Sequence, residues 1–110
     1  MTTISNEQSE VIEITPELFY NYQVKTLSVK GVEIKLTRKE AGLMHLLTVN
    51  KNQVLDRKAA LELLWGDDNY FNARCMDVFI TKLRHYIKPV SCVKILNVRS
   101  QGHLLQVSKF

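Results

Sequence analysis

The chain has 110 residues, 45% of them hydrophobic and 24% charged, the composition of one small globular domain with no room for two. No apolar run approaches the roughly 18 to 20 residues needed to cross a bilayer, and Met1 to Glu7 lacks the basic-then-apolar pattern of an export signal, so a cytoplasmic protein with no membrane partner is expected. The net charge of +4 is uneven: residues 1–73 carry eight basic and ten acidic side chains, whereas residues 74–110 carry seven basic ones and a single acid, Asp77.

Such a basic block favours a polyanionic partner, nucleic acid before membrane, with a merely solvated basic face as the plain alternative. Cys75 and Cys92 are too few for a disulfide framework. With His45, His85 and His103 they show no metal-ligand spacing, so neither metal nor cofactor is expected.

Residues 1–9 are polar and read as a tail or linker end, leaving 10–110 as the folded domain. From Glu10 to Leu36 apolar residues alternate with polar ones in four bursts, Val11 to Ile14, Leu18 to Tyr20, Thr26 to Val29 and Val32 to Leu36. Thr15-Pro16 breaks the first pair and Lys30-Gly31 makes a tight turn in the last, which predicts a four-stranded antiparallel sheet.

Thr37-Arg38-Lys39-Glu40 has the spacing of a capping box and precedes Leu43, Leu46 and Leu47, so a first helix starts there and ends at Asn50 to Asn52. Gly42 inside it costs about 1 kcal/mol relative to Ala. Val54-Leu55 leads into Asp56, an N-cap for a second helix with Ala60, Leu61, Leu64 and Trp65 on one stripe and Gly66 as its stop. Gly66 to Asn72 reads as a seven-residue connection, longer than a simple helix-turn-helix requires.

Asn72 is a plausible cap for a third helix from Ala73 to Ile87, whose packing stripe is Met76, Ile80, Leu83 and Ile87 and which Lys88-Pro89 terminates. Val93 to Val98 and Leu104 to Val107 follow as two strands joined through Arg99 to His103.

At about 100° per residue, Arg74, Val78, Lys82 and His85 lie within roughly 40° of one direction on the third helix, opposite its apolar stripe, with Thr81 and Cys75 beside them. A helix fits the major groove, where Lys or Arg bonds guanine edges, Thr bonds several edges, and an exposed Val touches a thymine methyl. The competing reading is an amphipathic helix with a wet outer face. Arg99, at a turn in the basic block, can enter a narrow minor groove. Asn97 either contacts a phosphate or caps its strand. Helix plus basic hairpin makes a winged helix.

The segments Leu36-Thr37-Arg38-Lys39-Glu40, Leu64-Trp65-Gly66, Arg74 to Arg84 and Val98-Arg99-Ser100-Gln101-Gly102-His103 resemble the OmpR/PhoB winged-helix output domain of bacterial two-component response regulators, from about Glu10 to the C-terminus. The loop and third helix look most like the RprY-type branch. The resemblance implies an α+β winged helix-turn-helix: a four-stranded N-terminal antiparallel sheet, three helices and a C-terminal β-hairpin wing.

It implies sequence-specific binding to double-stranded DNA, with Arg74, Val78, Thr81, Lys82 and Arg84 as base or phosphate contacts beside His85 and Asn97, and Arg99 in the minor groove. It implies tandem dimers on direct-repeat half-sites. Asp67, Asp68, Asn69 and Tyr70 match the loop that contacts RNA polymerase or its sigma subunit in some members; for Tyr70 and Phe71, core packing is the alternative, and for Trp65 it is the preferred reading. The phosphoacceptor receiver domain, and with it the sensor histidine kinase as a direct partner, lies outside these 110 residues.

The sequence also departs from the family pattern. The wing usually reads Val-Arg-Gly-x-Gly-Tyr, but Ser100 replaces the first Gly, where a positive φ is expected, and His103 replaces the Tyr. Thr81 stands where Arg is frequent. No enzyme is expected, because Asp67 and Asp68 are sequence neighbours rather than a converging pair and no nucleophile triad or Gly-rich phosphate loop occurs. The rival reading is a winged helix used for protein contact.

Overall fold

The computed structural model describes residues 11–108; the tail expected at residues 1–9 lies outside them. Strands β1 (Val11–Thr15), β2 (Leu18–Asn21), β3 (Thr26–Val29) and β4 (Val32–Lys35) form an antiparallel meander in sequence order. Lys30 and Gly31 both have positive φ, 50° and 84°, the type I′ geometry that matches the twist of a tight hairpin. Alternation sends Leu18, Tyr20, Leu27 and Val29 into the core. The buried Tyr20 hydroxyl donates to the Ala41 carbonyl at 3.3 Å, joining the sheet to the first helix.

Helix α1 (Arg38–Val49) opens with the expected capping box. Thr37 Oγ1 accepts from Glu40 N at 3.2 Å and Glu40 Oε1 accepts from Thr37 N at 2.8 Å, so a nearly buried carboxylate is satisfied by the backbone it caps. Gly42 lies where α1 meets the second helix: a Cβ there would stand 2.8 Å from Leu64 Cδ2. Its helix-propensity cost is offset by that close approach.

Val54–Asp56 is a strand, β5, where only a lead-in to a helix is expected from the residues. Asp56 both ends it and caps α2 (Arg57–Trp65), its Oδ2 accepting from Ala59 N at 2.9 Å, and Gly66 closes the helix at φ +82°. Trp65 packs against the core beside Phe79, with the Lys39 ammonium 5.2 Å from its ring centre.

Helix α3 (Tyr70–Ile87) starts one turn earlier than expected. Its cap is Asn69 rather than Asn72: Asn69 Oδ1 accepts from Asn72 N at 2.8 Å, and Asn72 Nδ2 donates to the Asp67 carbonyl at 3.1 Å. The α2–α3 connection is therefore only Gly66 to Asn69, and the seven-residue loop is corrected to an ordinary helix-turn-helix link. The packing stripe is as expected, with Met76, Ile80, Leu83 and Ile87 buried.

Strands β6 (Val93–Val98) and β7 (Gly102–Val107) form the C-terminal hairpin. Strand β5 adds to it, giving a second sheet of order β5-β7-β6. Gly102 sits where β7 meets β5, and a Cβ on it would lie 1.9 Å from the Leu55 carbonyl oxygen. The hairpin turn is Arg99 to Gln101, shorter than the five residues expected. Ser100 takes φ +65°, so the turn keeps the left-handed residue that Gly usually supplies.

Candidate nucleic-acid interface

Helix α3 has 18 residues and is about 27 Å long. One side is locked into the core by its four apolar residues; the other is solvent-facing. Arg74, Val78, Thr81, Lys82 and His85 are all exposed on it, and Val78 keeps 55% of its surface open. A large aliphatic side chain in the middle of a polar face gains nothing from water, whereas a thymine methyl offers it a contact.

Local bonds set the posture of these groups. Arg74 Nη1 donates to the Tyr70 hydroxyl at 3.0 Å one turn back, with the guanidinium over the Tyr70 ring. Lys82 lies 5.8 Å from the Phe79 ring centre. Thr81 Oγ1 donates to the Asp77 carbonyl at 2.9 Å, which leaves its oxygen lone pairs and methyl outward.

Two more of the expected contact residues, Arg84 and Asn97, are tied to each other across the helix–wing junction. Arg84 is half-buried; its Nε donates to the Ile95 carbonyl at 3.0 Å and its Nη2 to Asn97 Oδ1 at 3.2 Å. These bonds brace α3 against β6 and hold both side chains at the base of the wing. Arg99 is exposed at the wing tip. Between helix and wing lies a cleft of about 420 Å³ bordered by Thr81, Arg84, Asn97 and Arg99.

The single acid of the basic block is neutralised from elsewhere. Arg57, the first residue of α2, donates to both Asp77 carboxylate oxygens at 3.0 and 3.3 Å. Arg57 was not anticipated as part of this surface. A local signal existed: a cation in the first turn of a helix opposes the helix dipole, and such a misfit points to a tertiary partner.

His103, expected on the surface or in packing, is buried beneath the wing and bonded on both ring nitrogens, to Asn97 Oδ1 at 3.0 Å and to Arg57 Nη1 at 3.4 Å. Burial first, then the Arg57 and Arg84 charges, push its pKa below the ordinary imidazole value, with Asp77 pulling the other way.

At the α2–α3 link, Asp67, Asp68 and Asn69 are exposed. Tyr70 and Phe71, in the first turn of α3, are 75% and 74% exposed, so neither serves the core, and Leu63 is an exposed apolar side chain of α2. Among the described residues no group of His, Cys, Asp and Glu side chains could hold a metal ion, and no helix is long and apolar enough to cross a membrane.

An outward-facing helix after a short helix-turn-helix link, followed by a cationic β-hairpin, defines a winged-helix domain. The sequence profile described as "Transcriptional regulatory protein, C terminal" matches residues 31–105, and the chain belongs to that family. It is 41% identical over 100 residues to the transcriptional regulatory protein RprY of Bacteroides fragilis, covering 91% of this chain and 42% of that protein. It is 36% identical over 81 residues to the response regulator ArlR of Staphylococcus aureus, covering 73% and 37%. The chain thus spans about two-fifths of the length of these relatives.

The DNA-binding domain of Klebsiella pneumoniae RstA, solved in complex with the RstA box, has the same fold: TM-score 0.73 at 23% identity, over 88% of this chain and 97% of that one. The OmpR/PhoB resemblance read from the sequence motifs is borne out in family and in fold.

Proposed function

We propose that this chain is the DNA-binding output domain of a two-component response regulator and controls transcription by sequence-specific binding to double-stranded DNA, not by catalysis. Helix α3 enters the major groove through Arg74, Val78, Thr81, Lys82 and His85. Arg99 of the wing enters the adjacent minor groove, and Arg84 and Asn97 stand beside the backbone at the wing base. The carrying observation is the outward face of α3, cationic around an exposed Val78, next to an exposed wing arginine.

About four phosphate-neutralising cations give a slope of log K against log[salt] near −0.9 × 4, roughly a hundredfold loss between 50 and 200 mM salt. One copy therefore binds weakly, and two copies on direct-repeat half-sites supply useful affinity. In this reading residues 1–9 are the linker to a receiver domain, itself the substrate of a sensor histidine kinase in the bacterial cytoplasm. The exposed Asp67, Asp68, Asn69 and Tyr70 meet RNA polymerase or its sigma subunit.

The test is selection of duplexes from a random pool, followed by binding isotherms at several salt concentrations. Arg99→Ala should reduce the slope by about 0.9 if it contacts one phosphate. Lys82→Ala should relax discrimination at one base pair by about 1–3 kcal/mol if it reads a base. Salt-insensitive binding that tolerates both changes would instead assign the surface to protein contact.

A further inference from the structure

Helix α2, helix α3 and the wing converge on one buried ring that the DNA contacts do not use. His103 is 5% exposed, and its partners assign its tautomer. A guanidinium only donates, so Nε2, facing Arg57 Nη1, is the acceptor. Nδ1 then carries the proton and donates to Asn97 Oδ1. The Asn97 orientation is fixed independently, because Arg84 Nη2 also donates to that oxygen.

A continuous chain of bonds results. It leaves α3 at Asp77, crosses to Arg57 on α2, enters the wing at His103 on β7, passes to Asn97 on β6 and returns to α3 at Arg84. Asn97 and His103 are paired across the β6–β7 ladder, two steps from the Arg99 turn.

Resting on the DNA-binding reading above, we propose that His103 is a positioning residue for that binding: neutral and protonated on Nδ1, it ties the wing base to α2 and α3 and so sets where Arg99 stands relative to the recognition helix. A proton on Nε2 makes the Arg57 contact donor facing donor. The tie then opens and the wing loses its fixed place. The charged groups facing the ring are Arg57 from α2 and Asp77 and Arg84 from α3, with the uncharged Asn97 on β6. Asp77 is already committed to Arg57, so it leaves the single positive charge of the doubly protonated ring poorly compensated.

A merely structural role would not give DNA affinity a proton dependence that follows this one ring. The experiment follows His103 ring nitrogens by NMR from pH 8 to 5, alongside affinity for a duplex selected from a random pool, in the wild-type chain and in His103→Gln and His103→Tyr. The expected result is an Nδ1–H tautomer at pH 8 and a wild-type affinity that falls about tenfold as the ring titrates, the equivalent of one pKa unit of coupling.

Both variants should lack that fall. An Nε2–H tautomer at pH 8, or parallel pH profiles in wild type and variants, overturns the proposal. Should the variants not fold, the wild-type chain decides alone: the Arg99 and Ser100 amide signals must move with the His103 midpoint, and failure to do so overturns it. Absence of duplex binding at every pH sinks the DNA reading and the proposal with it, whereas pH-independent binding sinks the proposal only.

Discussion

The N-terminal sheet pairs each strand with its sequence neighbour, β1 to β2 to β3 to β4, whereas the C-terminal sheet needs β5 from mid-chain to reach β7 near the end, with Leu55 opposite His103. The first sheet is closed by local devices: a two-residue turn with positive φ at Lys30 and Gly31, and a capping box where β4 passes into α1. The second is closed by long-range ones: a carbonyl packed onto Gly102, and a bond chain from Asp77 through Arg57 and His103 to Asn97. The scaffolding sheet depends on neighbours in sequence. The C-terminal sheet depends on helices placed by the whole fold.

The two glycine sites test this contrast most severely. Gly102→Ala drives a Cβ into the Leu55 carbonyl, which cannot yield as a side chain would, and should cost ~3 kcal/mol and lower Tm by ~12 °C. Gly31→Ala meets nothing within 4 Å and should cost only about 1 kcal/mol for its left-handed backbone. Thermal melts followed by circular dichroism rank the pair; equal losses would mean that the β5–β7 contact is not what holds the second sheet.

Thr37→Ala, which removes the local cap beyond the first sheet, should cost about 1 kcal/mol of unfolding free energy in urea. Ser100→Gly should stabilise by about 0.5 kcal/mol, since glycine adopts φ +65° without a Cβ penalty but loses more chain entropy; urea midpoints of the two proteins measure it.

The smallest effect is a pH slope confined to the second sheet. Because the folded domain holds the His103 pKa below its ordinary value of 6.5, the unfolded chain takes up the proton first on acidification. The stability contributed by the neutral ring is complete above the unfolded value and is lost as pH falls through the folded one. Tm measured between pH 8 and 5 should therefore decline in wild type more than in His103→Gln, and identical profiles would remove His103 as the source.

Much of the molecule was legible in the sequence because the signals were local. Four alternating bursts, the Thr37 to Glu40 spacing, the Asp56 cap, the Gly66 stop and the Met76/Ile80/Leu83/Ile87 stripe each specify an element within a few residues, and the structure has them all. The outward set on α3 followed from the same periodicity. The start of α3 was misplaced because Asn69 and Asn72 are both competent caps. Only the Asp67 and Asn72 bonds around the turn select the earlier one, which puts Tyr70 and Phe71 in a helical turn on the surface.

The sequence by itself determined a basic C-terminal third, an amphipathic third helix with a cationic outer face, and a four-stranded sheet, because charge, period and turn chemistry act between close neighbours. Only the tertiary structure decided that Val54–Asp56 is a strand, that Arg57 neutralises Asp77, and that His103 is buried between two helices and the wing. Those outcomes join residues 20 to 50 positions apart, and a side chain's partner at that range is set by how the elements pack, which no local pattern encodes.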